Sequence, residues 1–435
     1  MIRISHNAWQ LWIHVSSKVP LGAWERWDRG KRGLGLSDAR TIWVVGTADT
    51  KGEELAFLAA RVRELGGLPV VVDVGTRAPK TYTDIAADQI FGEQAAGLFA
   101  LSDRGDAVRM MSAAFAEFAV QKHGQGSYSG IVGIGGGGGT SIITAAMRRL
   151  PIGLPKVMVS TLASGDTSAF IGVSDLVMMP AVTDLAGLNR ISREVLANAA
   201  GAIVGMTSRP ALPKVDRPAV GLTMFGVTTD CVTAIVKNLG EAVEPVVFHA
   251  TGTGGRAMEA LVDSGLITGV IDITTTEIAD LLCGGVLAAG PDRLDCIARM
   301  GIPYVGSLGA CDMVNFWARE TVPRQYSARR FYQHNANVTL MRTNAVECAE
   351  IGRWIGHKLN ACEGPVRILV PMRGLSALDI EGGPFSDPEA DHALFTALRQ
   401  TLKPTDLRRL VELPLHINDP SFAQAAVAAY HAIRP

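Results

Sequence analysis

The sequence predicts an α/β fold built from two parallel-sheet domains. From Thr41 onward, short runs of β-branched residues alternate with amphipathic helical patterns, which is typical of successive βαβ units. Pro210 and Pro213 interrupt this pattern, and the same alternation begins again after them. At 435 residues the chain is long enough for two or three domains, since a domain takes roughly 150 residues. We therefore expect two Rossmann-like parallel-sheet domains with a ligand cleft between them.

The domain bounds follow from these changes of pattern. Residues 1–40 hold four tryptophans among basic residues without clear periodicity, and we set them apart as an N-terminal extension. The first domain, with a glycine-rich loop, is predicted over residues 41–208, and the second over residues 214–435.

The first βαβ unit places one loop at an edge where ligands bind. Residues 42–45 predict a strand, and Leu55, Leu58 and Val62 recur at helical spacing after it. Thr50 and Glu53 predict a capping box that would bind the first amides of this helix. Because open parallel sheets bind ligands beyond the carboxyl ends of their strands, we expect the loop between strand and helix to contribute to a site.

A glycine run forms the most distinctive motif of the chain. The apolar residues 130–134 lead into five consecutive glycines and then a Thr-Ser pair that starts a helix. Glycine lacks the Cβ atom that keeps ligands away from the backbone, and the helix adds its positive N-terminal end. The loop suits a phosphate or a carboxylate, and the alternative is a merely tight strand-to-helix turn. The cofactor-binding candidates in this loop are Gly135, Gly136, Gly137, Gly138, Gly139, Thr140 and Ser141.

Two further loops of the first domain carry candidate residues. Asp49 is a candidate ligand for Mg²⁺, because hard cations take carboxylate and phosphate oxygens, and Asp166 is a candidate catalytic residue. The alternatives are a helix cap at Asp49 and a solvated side chain at Lys51. The cofactor-binding candidates in these loops are Gly46, Thr47, Asp49, Lys51, Ser164, Gly165 and Thr167.

The second domain repeats this arrangement of loops. Residues 226–230 follow its first strand as residues 46–49 follow the first strand of the other domain. Thr274 and Glu277 predict another capping box, so we interpret Glu277 as structural. A second glycine-rich turn also leads into a helix, and its substrate-binding candidates are Thr253, Gly254, Gly255 and Arg256.

Three side chains of the second domain could take part in chemistry. Arg373 stands beside a glycine, and a guanidinium suits bidentate recognition of carboxylate or phosphate. His416 and His334 are candidates for a general acid or base because the pKa of histidine lies near neutrality. The alternative for each histidine is a structural role. We take Arg373 and His416, with Asp166, as the catalytic candidates.

Composition excludes several classes of partner. The chain has 41 basic and 42 acidic side chains and a net charge of −1, so a broad electrostatic footprint for nucleic acid is not expected. Its six cysteines are far apart in sequence and form no Cys-x-x-Cys pair, which favours a reduced, cytoplasmic protein. No apolar run of about 20 residues predicts a membrane span.

Several of these stretches occur together and in order, namely residues 46–55, the glycine run, and residues 161–165, 248–255, 371–374 and 416–420. Through them, residues 41–433 resemble a family of largely uncharacterised bacterial, fungal and plant proteins, which includes the N-terminal ATP-binding domain of the tomato mosaic virus resistance protein. The resemblance implies two Rossmann-like subdomains, ATP binding and a homodimer. It would place the ATP-related role on residues 46–51 and 135–141.

The leading hypothesis is an ATP-binding cytosolic protein that uses ATP and Mg²⁺ and acts on an unknown small molecule held between its domains, by phosphoryl or nucleotidyl transfer. In such chemistry a protein mainly positions phosphates and neutralises their charge. Two alternatives stay open. One is a nucleotide-independent enzyme of small-acid or sugar catabolism, and the other is a binding module regulated by a ligand.

Overall fold

The computed structural model describes residues 40–92, 103–208 and 217–434, which form two compact units. Strands β1 to β5 lie in the first unit and β6 to β14 in the second. The predicted N-terminal extension, except Arg40, and the stretch with Pro210 and Pro213 fall outside the described residues.

The first unit is a five-stranded parallel sheet with the order β2-β1-β3-β4-β5. Val44 of β1 pairs with Val71 of β2 on one side and Val132 of β3 on the other. Its strands are β1 (Thr41–Gly46), β2 (Leu68–Asp73), β3 (Gly130–Gly135), β4 (Lys156–Ser160) and β5 (Val177–Pro180). Its helices are α1 (Gly52–Glu64), α2 (Ala87–Phe91), α3 (Arg104–Gly124), α4 (Gly137–Met147), α5 (Ser168–Ile171) and α6 (Arg190–Ser208).

Alternate residues of β1 face different helices, as the two-residue period of a strand requires. Val44 belongs to a buried cluster that contains Leu58 of α1 and Leu196 of α6. The neighbouring Trp43 instead stacks on Tyr128, with ring centroids 4.1 Å apart, and on Phe115 of α3. Helices therefore cover both faces of this sheet, which explains why its central strands are apolar throughout.

The second unit has a six-stranded parallel sheet with the order β14-β13-β9-β8-β6-β7. A separate antiparallel sheet has the order β10-β12-β11. The strands of the unit are β6 (Ala219–Met224), β7 (Glu244–His249), β8 (Gly269–Thr274), β9 (Tyr304–Gly309), β10 (Met313–Phe316), β11 (Phe331–Asn335), β12 (Val338–Arg342), β13 (Val366–Pro371) and β14 (Arg408–Leu413). Its helices are α7 (Thr229–Leu239), α8 (Thr253–Asp263), α9 (Thr276–Cys283), α10 (Asp295–Met300), α11 (Ala345–Asn360), α12 (Pro388–Thr401) and α13 (Pro420–Ile433).

The predicted fold class is confirmed, since each unit has a parallel sheet joined by helices. Numbered within its own unit, each sheet begins with the order 2-1-3-4. The direction of winding therefore reverses between β1 and β3 in the first unit and between β6 and β8 in the second. Such a switch point leaves a crevice at the carboxyl ends of the two strands, where ligands of this fold class bind. No helix among the described residues is both long and apolar enough to cross a membrane.

Both predicted capping boxes are wrong. Helix α1 begins at Gly52 with Lys51 as its N-cap and has no side-chain cap. The Thr50 hydroxyl instead contacts the Thr47 hydroxyl at 2.7 Å, because the turn between them brings the two side chains together. In the second unit Thr275 is the N-cap of α9, likewise without a side-chain cap, and Glu277 is bound elsewhere.

Candidate functional site

A polar cavity of about 290 Å³ opens at the switch point of the first unit. Its wall includes the loop after β1, the loop after β2 and the glycines that follow β3. Of the predicted cofactor-binding residues, the structure brings Thr47, Asp49, Lys51 and residues 136–139 together on this wall. The cavity therefore joins two of the three loops that the sequence singles out.

Four glycines on this wall have no steric reason to be glycine within the protein itself. A Cβ atom added at Gly136, Gly137 or Gly138 would meet no atom closer than 3.5 Å, and none of the three has a positive φ. At Gly139 the nearest atom would be the Ile134 carbonyl oxygen at 3.6 Å. Glycine inside a helix costs roughly 0.5–1 kcal/mol relative to alanine, and α4 begins at Gly137. The space that these missing side chains leave open lies where a ligand would approach the backbone.

Gly135, the first glycine of the run, differs from the four that follow. A Cβ atom there would lie 2.8 Å from the Thr140 backbone nitrogen and 2.9 Å from the Gly139 carbonyl carbon. Gly135 is thus required by the tight turn from β3 into α4. The tight-turn interpretation therefore applies to Gly135, and the ligand-loop interpretation stays a prediction for residues 136–139.

The N-terminus of α4 has no cap from a side chain. Its N-cap is Gly136, which has no side-chain hydrogen bond to offer, and the first turn of the helix holds no acidic residue. The first amides of a helix lack partners within the helix and carry a partial positive charge. An anion in the cavity would supply both the hydrogen-bond acceptor and the negative charge.

Two arginines that the sequence reasoning missed line the cavity. Arg77 follows β2, and Arg104 is the first residue of α3. A guanidinium nitrogen of Arg104 lies 3.9 Å from the position of a Cβ atom at Gly138. Arg77 could have been found by extending the search to the loop after β2, which ends at the same edge of the sheet. Lys51 has a different role, because its ammonium group donates a hydrogen bond to the Leu185 carbonyl oxygen.

Two carboxylates lie close to the cavity: Asp49 in the loop after β1, and Asp73 at the end of β2. The Oδ1 atom of Asp73 accepts hydrogen bonds from the Ala48 and Gly75 amides at 2.8 and 2.7 Å, and burial raises the pKa of Asp73. Among the described residues, neither the buried Oδ1 of Asp49 nor the Oδ2 of Asp73 has a hydrogen-bond partner. A buried carboxylate oxygen without a partner is rare in native proteins. Asp49 lines the cavity, so its unpartnered oxygen is available to a ligand there, and its role as a Mg²⁺ ligand stays a prediction.

The remaining candidates of the first unit are engaged within the protein. The hydroxyl groups of Thr140 and Ser160 lie 2.7 Å apart, and the Ser141 hydroxyl donates to the Gly137 carbonyl oxygen at 2.9 Å. Asp166 accepts a hydrogen bond from the Ser168 amide at 2.9 Å, which lowers its pKa, and it does not line the cavity. Gly46, Gly135, Ser164, Gly165 and Thr167 do not line it either.

The glycine-rich turn of the second unit already holds an anion of the protein's own. Glu277 Oε1 accepts hydrogen bonds from the amides of Gly252 and Gly255 at 2.6 and 3.0 Å. Its Oε2 accepts one from the fully buried Arg293 at 3.2 Å. The Arg256 Nε donates to the Gly252 carbonyl oxygen at 3.1 Å. The substrate-binding role of Thr253, Gly254, Gly255 and Arg256 stays a prediction, and these two amides offer no vacant position for it.

The structure brings two catalytic candidates of the second unit, Arg373 and His416, into neighbouring loops, since the Arg373 amide donates a hydrogen bond to the Leu415 carbonyl oxygen at 3.1 Å. The Asn418 amide donates to His416 Nδ1 at 3.1 Å, so Nε2 carries the proton and donates to the Ser376 carbonyl oxygen at 2.9 Å. Arg373 is exposed and lines a different cavity, at the carboxyl end of β13. His334 lies in the exposed strand β11. The geometry thus gives His416 a structural role in the turn after β14.

The fold and the cavity define a class of protein: a chain of two doubly wound α/β units whose first unit carries a polar crevice at its switch point. Comparison with known proteins then identifies the family. Residues 40–211 match the N-terminal domain and residues 217–434 the C-terminal domain of the uncharacterised protein family UPF0261. The chain therefore belongs to the UPF0261 family.

Relatives of the chain span bacteria and plants. A UPF0261 protein of Rhizobium meliloti (strain 1021) is 62% identical over 397 residues, which cover 91% of this chain and 99% of the relative. The ToMV resistance protein Tm-1(GCR237) of Solanum lycopersicum is 42% identical over 426 residues, covering 92% of this chain and 56% of the tomato protein. The resemblance to the family of the tomato protein is thus confirmed.

One solved structure that aligns with most of this chain is that of the glycosyltransferase SnogD from Streptomyces nogalater. It is 11% identical and covers 90% of this chain and 99% of its own, with a TM-score of 0.20. A likeness this weak carries no argument about function.

Proposed function

We propose that the protein binds ATP together with Mg²⁺ in the cavity at the switch point of the first unit. The observation that carries this proposal is the run of residues 136–139, four glycines that the protein's own packing does not require. Three of them, Gly137 to Gly139, lie inside α4, where glycine lowers helix stability, and a ligand that touches the backbone would explain their presence. Such a ligand would accept hydrogen bonds from the first amides of α4.

The charges around the cavity favour a polyphosphate over a single carboxylate. Arg77 and Arg104 supply two cations, and α4 supplies the partial positive charge of its N-terminus. Asp49 is the carboxylate that would hold Mg²⁺, and the ion would supply charge neutralisation between the phosphates. The residues of this chain would position the nucleotide, which is most of what phosphoryl-transfer proteins contribute.

A neighbouring cavity offers a place for a second molecule. It has a volume of about 450 Å³ and shares Asp49 and Thr50 with the first cavity. Its wall also includes Glu53, Lys80 and Thr81. A small substrate here would lie across Asp49 from the nucleotide, which would permit phosphoryl or nucleotidyl transfer between them.

We also infer from the family resemblance that the protein is cytoplasmic and forms a homodimer. Sedimentation of the purified protein would test the homodimer.

A thermal-shift titration tests the binding of nucleotide. Binding to the folded state stabilises it by about 2.7 kcal/mol when the ligand is at 100 times its Kd. We expect ATP, ADP and a non-hydrolysable ATP analogue to raise the melting temperature saturably, with a larger shift when Mg²⁺ is present. The Gly137→Val variant should lose this shift, because the added side chain would occupy the cavity.

The matched control is Gly201→Val, at an exposed position of α6 where an added Cβ atom would meet nothing within 4 Å. We expect this variant to keep the nucleotide shift of the wild-type protein. An unchanged melting temperature of the wild-type protein at millimolar ATP and Mg²⁺ would refute the proposal. Equal losses in both variants would show that the effect of Gly137→Val comes from helix destabilisation.

A further inference from the structure

A third cavity, of about 650 Å³, lies in the second unit, where the loop after β13 meets α12. Arg373 and Gly374 contribute to its wall from the loop, and Asp391 contributes from the helix. Asp379, also from the loop, completes a carboxyl pair with Asp391. The carboxyl end of a parallel strand is where α/β sheets bind ligands, and neither the ATP site nor its Mg²⁺ uses this cavity.

The carboxyl pair is buried around one arginine. Arg342 donates to Asp391 Oδ1 at 2.6 Å and lies 3.7 Å from Asp379 Oδ1, and these three residues are between 2% and 8% exposed. Asp379 Oδ2 accepts the Leu375 amide at 2.9 Å. The loop with Asp379 and the helix with Asp391 are thus fixed by the same guanidinium group.

A third, fully buried carboxylate belongs to this cluster. The Ser376 hydroxyl donates to Asp312 Oδ2 at 2.8 Å and accepts the Asp379 amide at 3.2 Å, so it joins the two acids. The other oxygen of Asp312, Oδ1, has no hydrogen-bond partner among the described residues. A buried carboxylate oxygen without a partner is rare in native proteins.

Burial and the balance of charge favour a proton on this cluster. Three carboxyl groups lie around one guanidinium, so at most one of the three negative charges is neutralised by it, and burial also raises the pKa of Asp379. Burial and the neighbouring Asp379 raise the pKa of Asp391 to about 8, and burial raises the pKa of Asp312 to about 7. At neutral pH the cavity therefore presents a carboxyl group that can donate a hydrogen bond.

We propose that this cavity binds a small carboxylate together with a proton, with Arg373 pairing with the carboxylate and protonated Asp391 donating a hydrogen bond to the ligand. Among the described residues, the Arg373 side chain has no hydrogen-bond or ion-pair partner, so its guanidinium is available. The charged and titratable groups that face the pair are Asp312, Arg342, Arg373, Glu381, His392 and His416.

The sign of the pH dependence follows from linkage. The ligand binds the protonated form of Asp391, so affinity is highest below the pKa of about 8 and falls as the pH rises through it. Between pH 7 and pH 9 the affinity should fall about tenfold. Near pH 8 and above, binding should take up a proton from the buffer.

Calorimetric titration of the full-length protein with pyruvate, in two buffers of different ionisation enthalpy, tests the proposal. We expect binding at pH 7, uptake of about half a proton at pH 8 that approaches one proton by pH 9, and the tenfold loss of affinity by pH 9. Asp391→Asn keeps a hydrogen-bond donor but cannot titrate, so it should bind pyruvate without proton uptake and without the loss at high pH. Arg373→Gln should abolish binding, whereas the control Arg353→Gln, at an exposed position of α11, should not.

The proposal is wrong if the wild-type protein does not bind pyruvate at millimolar concentration, or binds it without proton uptake. It is also wrong if Arg373→Gln binds as tightly as Arg353→Gln. Stabilisation by Mg²⁺ or Ca²⁺ that is lost in Asp391→Asn would show a cation site instead. Because Gly137→Val alters only the other unit, pyruvate binding in that variant separates this proposal from the ATP site.

Discussion

The two glycine-rich loops look alike in sequence and differ in what fills them. In the second unit, the glycines at residues 252–255 are held by Glu277, and added Cβ atoms at Gly254 and Gly255 would overlap His249 and Glu277. In the first unit, residues 136–139 leave open space and an uncapped helix. The difference teaches that a glycine run indicates close approach of some group to the backbone, and that the group can be the protein itself.

The loops also occupy different positions in their units. The loop of the first unit follows its third strand, at the switch point, whereas that of the second unit follows its second strand. The helix α9, which follows the third strand of the second unit, carries Glu277. The second unit thus uses the residue next to its own switch point to close the neighbouring loop.

Removing the carboxylate of Glu277 should have the largest effect on the stability of the protein. In Glu277→Ala, Arg293 loses one of its three acidic partners, and the amides of Gly252 and Gly255 lose their acceptor. Removing one partner from a buried ion pair lowers the free energy of unfolding by about 3–5 kcal/mol. Urea denaturation followed by circular dichroism would measure this loss. A variant as stable as the wild-type protein would show that the second loop does not depend on Glu277.

Adding a methyl group to the glycine-rich loop of the second unit should have the next largest effect on stability. In Gly254→Ala, the new Cβ atom would overlap the His249 carbonyl oxygen, and both atoms belong to the backbone framework and cannot move independently. We expect a destabilisation of about 3 kcal/mol, at the upper end for overpacking. Thermal denaturation would measure it, and a change below 0.5 kcal/mol would contradict the packing described for this loop.

The same methyl group in the open loop should have a small effect of opposite sign. In Gly137→Ala the Cβ atom would meet nothing nearer than 3.7 Å, and φ is already compatible with alanine. Such substitutions stabilise a protein by about 0.4–1 kcal/mol, while the methyl group would weaken the nucleotide shift. Melting temperatures with and without ATP would show both changes. A less stable Gly137→Ala variant would remove the contrast between the loops.

The periodicity of the sequence made the fold predictable, whereas the hydrogen-bond partners of individual side chains were harder to predict. The alternation of strands and helices gave two parallel-sheet domains, because burial on both faces of a sheet leaves a continuous apolar run in each strand. The three-stranded antiparallel sheet was not predicted, since β11 is almost fully exposed and has no apolar pattern. Both predicted capping boxes are wrong because each side chain has another partner: Thr50 contacts Thr47 within its own loop, and Glu277 binds the distant amides of Gly252 and Gly255.

The candidate site was partly predictable for a similar reason. Strand ends could be located, so the loops with Asp49 and residues 136–139 were correctly brought to one edge. Arg77 and Arg104 were missed because an arginine in a loop or at a helix start carries no periodic signal. The carboxyl pair of Asp379 and Asp391 joins a loop to a helix through Arg342, a contact that no local pattern contains.

The sequence by itself determined the two-unit α/β architecture, the family and the place of the glycine run after a buried strand, because these depend on local patterns of burial and turn. Only the tertiary structure decided which glycine loop is open and which is closed by Glu277. It also decided that His416 has both ring nitrogens engaged while Arg373 faces a cavity. The physical reason is that these properties depend on which group, distant in sequence, occupies the space beside each residue.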